Sequence, residues 1–191
     1  MRCGAVIVAA GAGTRLGGVA KALLPAGDRT FLARIVATAG EVGVAAGDVV
    51  VVVAAPFRDA VAAAARALGT IVVDNPAPER GMGSSVACGF AALPPGLDAA
   101  FLWPVDHPWV AASTLAALVA AGGGAPAHGG RRGHPPLVAH AQFAALAAAA
   151  DHPDGARGVL RGSLAAIPVD DPGVLRDVDL PGDLEVDACV A

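Results

Sequence analysis

The sequence predicts an α/β domain built on a mainly parallel sheet, and three observations carry that prediction. Short apolar runs rich in Val and Ile alternate with Ala-rich helical stretches from one end to the other. The chain has 191 residues, 55% of them apolar, which suits one domain with a substantial core. Three polar clusters follow apolar runs, where open α/β sheets place their ligands, at the carboxyl ends of strands.

Residues 3–10 read as a buried strand and 31–40 as a helix. Five consecutive valines make 48–54 the clearest strand of the chain. Residues 57–68 form a helix ended by Gly69, 70–73 a short strand, and 84–93 a helix stopped by Pro94, Pro95 and Gly96. A strand at 99–105 opens into Asp106-His107-Pro108, and Ser113 is the expected cap of a helix running to about residue 121. The glycine-rich stretch 122–136 reads as loop with one short strand. Helices at 141–150 and 157–164 and strands at 165–169 and 174–178 complete the pattern, without a repeat and within one domain, 1–191.

Composition excludes several classes of function. Thirteen basic against seventeen acidic residues give a net charge of −4 with no basic run, a poor match for nucleic acid or an anionic membrane surface. Mean hydropathy is +0.60, yet no apolar run reaches the roughly 18 residues of a spanning helix. Cys3, Cys88 and Cys189 are odd in number and widely spaced, so neither a disulfide framework nor a zinc site is indicated. The apolar start is short for a secretory leader and runs into a loop carrying Arg15 and Lys21, so a reducing cytoplasm is the expected compartment.

That loop holds the strongest chemical signal. It reads Ala9-Ala10-Gly11-Ala12-Gly13-Thr14-Arg15-Leu16-Gly17-Gly18-Val19-Ala20-Lys21, and Lys21 is the only lysine beside twelve arginines. Glycines let backbone N–H groups approach a phosphate, and a compact ammonium suits a crowded loop. A dinucleotide loop would need a glycine where Leu16 stands and an acidic residue near Ala54 and Ala55. A Walker A loop would need Gly-Lys-Ser/Thr, whereas Lys21 lies between Ala20 and Ala22.

The loop instead resembles the opening of the MobA-like NTP transferases, and within them the molybdenum cofactor cytidylyltransferases. Four further segments follow the same order: Asn75-Pro76 with Arg80-Gly81-Met82-Gly83-Ser84-Ser85, Asp106-His107-Pro108, Arg132-Gly133-His134-Pro135, and residues 177–184. His107 stands where that family has Gln, and its Gly-Ala-Arg stretch survives in altered form as Asp154-Gly155-Ala156-Arg157-Gly158.

The resemblance implies a three-layer α/β/α Rossmann-like nucleotidyltransferase, of the GT-A-like type, that transfers CMP from CTP to a small phosphorylated acceptor and releases pyrophosphate. Molybdopterin or molybdenum cofactor is the first-choice acceptor, with delivery to a molybdoenzyme as a further implied step. Ala9, Ala10, Gly11, Gly13, Thr14, Arg15 and Lys21 would hold the triphosphate, with Arg15, Lys21 and Asp106 catalytic. Asn75, Gly83, Ser84 and Ser85 would lie beside base and ribose, although Ser84 serves equally as a plain N-cap. Asp106 with Asp179 would hold Mg²⁺, Asp177 competing for the second place. Arg132 and His134, near Arg131, would meet the acceptor. The second alanine of Ala9-Ala10-Gly11 favours CTP over GTP. A GTP-using or sugar-phosphate transferase and a non-catalytic cofactor carrier remain the rival readings, and calorimetry with CTP and GTP separates them.

Overall fold

The structure, a computed structural model, describes residues 1–11, 13, 18–179 and 183. Thr14 and Arg15 of the glycine loop therefore lie outside the described residues, as does Cys189.

The first strand, β1 (Cys3–Val8), is the centre of the sheet. A two-residue hairpin, β2 (Pro25–Ala26) with β3 (Arg29–Thr30), leads into α1 (Phe31–Glu41), whose first turn is capped by the Thr30 hydroxyl. The valine run forms β4 (Val49–Val53), followed by α2 (Arg58–Ala67) and β5 (Ile71–Asp74). Then come α3 (Met82–Ala91), β6 (Ala99–Pro104) and α4 (Ala112–Ala120). The last part holds β7 (Ala125–His128), β8 (Arg131–Arg132), β9 (Leu137–Ala139), α5 (Phe143–Ala147), α6 (Gly155–Val159) and β10 (Ala166–Pro168).

The main sheet runs β5-β4-β1-β6-β9, with every pairing parallel except β6 with β9. Both faces are covered, which is why β4 is five buried valines instead of an alternating strand. Side chains alternate between the two faces. Ala5, Ile7, Val51 and Trp103 pack under Leu32 and Ile35 of α1, Val61 of α2 and Leu115 of α4. Val6, Val52 and Leu102 pack under Val86 and Phe90 of α3 and Leu146 of α5. The expected three-layer architecture is present.

Five local expectations are corrected. Residues 122–136 hold two strands, β7 and β8, which with β10 form a second, three-stranded sheet. The helix expected at 141–150 is one turn of α5 between 3₁₀ turns, and α6 ends at Val159 instead of reaching 164. No strand forms at 174–178. Pro172 and Gly173 start a 3₁₀ turn, and beyond it the chain is tied by separate hydrogen bonds, His134 N to Val174 O and Val178 N to Asp106 O. Ser113 lies inside α4, and the distant Asp171 carboxylate serves that helix start, accepting from Ala111 N (2.9 Å) and Thr114 Oγ1 (2.7 Å).

Candidate active site

The carboxyl ends of β1, β5 and β6 bring the polar clusters together. β1 ends at Val8, and Ala9 continues its line by donating to Val52 O at 2.9 Å. Gly13 adopts φ +58°, where an added Cβ would collide with Val19 O, so the loop closes only around glycine. Gly18 N donates to Gly13 O across that closure. Ala9, Gly11, Gly13 and Lys21 line a pocket of about 280 Å³.

Within this pocket Lys21 meets two carboxylates. Its ammonium lies 3.4 Å from Asp106 Oδ2 and also pairs with Asp179 Oδ1. Of the two aspartates that sequence left in competition, Asp179 is beside Lys21, while Asp177 lines the neighbouring cavity. All three side chains are largely shielded, so the Coulomb energies are greater than in bulk water. Asp106 Oδ1 is buried and has no hydrogen-bond partner among the described residues. The Val178 amide fixes the relation between the two acidic segments by donating to the Asp106 carbonyl at 2.9 Å.

A second, larger cavity of about 710 Å³ opens on the other side of Asp106 and Asp179. Val86, Leu102, Leu160 and Leu164 give it apolar walls, and Arg132, Arg157 and Arg161 supply positive charge. Arg161 is paired with Asp154 at 2.8 Å, whereas Arg132 and Arg157 have no ion-pair partner among the described residues. His107 and His134 also line it, their rings 4.9 Å apart. Burial pushes the His134 imidazole down to about 4, helped by His107 and Arg157 and opposed by Asp106. Burial likewise lowers His107. Both rings are therefore neutral at pH 7. His107 shapes its loop through its backbone, its carbonyl accepting from Trp103 Nε1 at 2.9 Å.

The Asn75 cluster is built inward. Asn75 is 1% exposed, and its Nδ2 donates to Ser84 Oγ (2.8 Å) and Ser85 Oγ (2.9 Å), while its Oδ1 accepts from Ala77 N. These side chains tie the loop after β5 to the first turn of α3. Gly83 lets that turn pack closely, since a Cβ there would meet Ala149 O at 2.9 Å. Arg131 is exposed outside the larger cavity, and His128, His140 and His152 also lie outside it. Trp103 is core, and Trp109 packs edge-on to Phe31.

The sequence reading gave no role to Met82, Arg161, Leu160 or Leu164, all of which line the larger cavity. Met82 carried a signal, being a lone bulky apolar residue between two glycines. The leucines carried none, because apolar residues near a helix end read as core.

The arrangement at this sheet edge sets a glycine loop with Lys21 against a second cavity lined by three arginines and three aspartates, with Asp106 and Asp179 between them. With this fold, it defines a nucleotidyltransferase. More narrowly, residues 5–168 match the family model of the MobA-like NTP transferase domain, and the chain belongs to that family. Among solved structures, Rv0371c from Mycobacterium tuberculosis H37Rv is 26% identical, with a TM-score of 0.75 and 97% of each chain covered. The same protein in complex with manganese aligns over 97% of each chain at 24% identity and a TM-score of 0.70. A nucleotidyl transferase from Methanothermobacter thermautotroptrophicus shares the fold at 21% identity, TM-score 0.76, over 97% of this chain and 95% of its own. The 2-C-methyl-D-erythritol 4-phosphate cytidylyltransferase from Thermus thermophilus does so at 22% identity, TM-score 0.68, over 97% of each. No curated protein sequence matches the chain. No described helix is long and apolar enough to cross a membrane.

Proposed function

We propose that the protein transfers CMP from CTP to a small phosphorylated acceptor, with molybdopterin or molybdenum cofactor as the first candidate. One observation carries this reading: the two cavities share Asp106 and Asp179 as their boundary, and Lys21 reaches both carboxylates from the glycine-loop side. The triphosphate lies along the amides of Gly11 and Gly13, with Lys21 and Arg15 neutralising it. The acceptor enters the larger cavity, its phosphate drawn by Arg132 and its ring against the apolar walls and His134. An acceptor oxygen bonds to the α-phosphorus, the α–β bridging P–O bond breaks, and pyrophosphate leaves with the electron pair. No general base is needed because the acceptor phosphate is already ionised. Orientation of two anions and screening of their charge do the rest.

The donor set fits a divalent cation. Asp106 has a free buried oxygen, and Asp106 and Asp179 converge on a point now served by one ammonium. Mg²⁺ binds through one or two carboxylates and completes its shell with substrate phosphates and water. Bound there, it would neutralise phosphate charge as the transition state forms. The manganese complex of Rv0371c supports a divalent ion.

CTP is favoured over GTP by the Ala9-Ala10-Gly11 opening. The apolar walls and volume of the acceptor cavity suit a pterin better than a sugar phosphate. Delivery of the product to a molybdoenzyme follows from that acceptor. The test is calorimetric titration with CTP and GTP, with and without Mg²⁺, followed by a pyrophosphate-release assay with pterin acceptors. Mg²⁺-strengthened CTP binding that exceeds GTP binding, with turnover abolished in Asp106→Ala, is expected. GTP binding equal to or better than CTP binding refutes the cytidylyl assignment. Cofactor binding without any turnover in the unmutated protein refutes the transferase.

A further inference from the structure

Met82 differs from every other apolar residue around the site. Its side chain is 61% exposed although it lines both substrate cavities. It also borders a third cavity of about 460 Å³ beside Arg80 and Arg157.

Five residues border both substrate cavities: Val8, Met82, Pro104, Asp106 and Asp179. Asp106 and Asp179 carry charge, and Val8 and Pro104 are fixed in register on neighbouring strands. Met82 alone among them is a long unbranched apolar side chain, with three rotatable bonds and a polarizable sulfur. Its backbone, by contrast, is held. The Asn75 hydrogen bonds to Ser84 and Ser85 and the close approach of Gly83 to Ala149 pin the turn on which it stands. The result is an adaptable thioether on a rigid base, at the junction where an α-phosphate and its attacker must meet. An apolar group there neither attacks phosphorus nor orients water, and its exposed surface favours any state that covers it.

We propose that Met82 is a specificity-determining partition: it lies across the boundary when CTP is bound, shields the α-phosphate from water, and swings aside to admit the acceptor. The inference rests on the proposed transferase reading and extends it to the choice between acceptor and water. In the side reaction it suppresses, a water oxygen bonds to the α-phosphorus, the α–β P–O bond breaks, and pyrophosphate leaves. CMP forms, and the proton lost by water passes to bulk solvent. Excluding that reaction is a general use of closure at a reactive centre.

Wild type, Met82→Leu and Met82→Ala are compared with CTP and Mg²⁺ and no acceptor. CMP release is read by chromatography, CTP affinity by calorimetry, and folding by thermal melting. Met82→Ala is expected to release CMP about tenfold faster, with Met82→Leu near wild type, because bulk at the boundary excludes water. Melting temperature should be the same in all three, and CTP affinity somewhat weaker in Met82→Ala alone, which loses the apolar surface that bound CTP covers. Equal CMP release in the three proteins overturns the partition, as does a Leu variant that hydrolyses as fast as the Ala variant. Failure of the wild type to bind CTP refutes the cytidylyl reading instead, so the two failures are distinguishable.

Discussion

Acidification should destabilise this protein through His134. Buried beside His107, its imidazole holds a proton only below about pH 4 in the folded chain, against an ordinary value of 6.5. As pH falls through 6.5 the unfolded chain takes up a proton that the folded chain refuses. The stability contributed by the neutral ring is therefore complete above 6.5 and lost progressively down to about 4, where the folded state also protonates. Within that window the slope is about 1.4 kcal/mol per pH unit, so the loss from this group alone reaches about 2 kcal/mol by pH 5. The assay is urea unfolding of wild type and His134→Phe at pH 7.5, 6 and 5. Phe keeps a ring against His107 and cannot protonate. Wild type should lose about 2 kcal/mol more than the variant between pH 7.5 and 5. Parallel curves would refute the argument, as would an NMR titration of His134 with a midpoint near 6.5.

Three other perturbations probe the site and its scaffold. Lys21→Ala removes the one ammonium between Asp106 and Asp179, and nucleotidyl transfer should fall on the order of 10²–10³-fold in kcat, measured by pyrophosphate release at saturating CTP. Asn75→Ala breaks two bonds to serine hydroxyls and one from the Ala77 amide; it should cost about 2–4 kcal/mol in chemical unfolding. Gly89→Ala drives a Cβ into Val6 Cγ1 and sets it 2.9 Å from Val52 Cγ2, forcing α3 off the sheet, and should destabilise by about 1–3 kcal/mol in thermal unfolding.

The central sheet was legible because each buried strand is a short run with its own local signature. The valines of β4 and the Phe101–Trp103 stretch of β6 need no distant partner to be recognised. The second sheet was hidden by glycine: β7 and β8 are short, and β7 gains much of its pairing from β10, which lies far along the chain beyond α6. The false strand at 174–178 shows the converse. Val174 and Val178 have strand-like composition and pack into apolar clusters, yet their backbones bond to separate loops instead of a ladder, Val174 O to His134 N and Val178 N to Asp106 O. Ser113 looked like a cap because it is the residue type that caps helices, but the helix already starts at Ala112, and Asp171 braces that start from 60 and 57 residues away.

The site divides along the same line. Lys21 and Asp106 stand out in the sequence by their place after strands, and Asp179, favoured there over its close competitor Asp177, is the one that the structure sets beside Lys21. That geometry belongs to loops. The Arg34 guanidinium lies 4.8 Å from the Trp109 ring centre and its Nε donates to Pro108 O, while Arg176 lies 5.0 Å from the same ring. Trp109 thus joins the loop after Asp106 to the segment before Asp179, and the Val178 amide closes the link. Two carboxylates 73 positions apart meet at one ammonium because these contacts bring their loops together. The Asn75, Ser84 and Ser85 motif has a similar character. It resembles a ligand-binding signature in sequence, while its side chains hold one another and so hold α3 beside the cavities. Motif residues at such a site therefore record the scaffold that fixes the chemistry as well as the atoms that perform it.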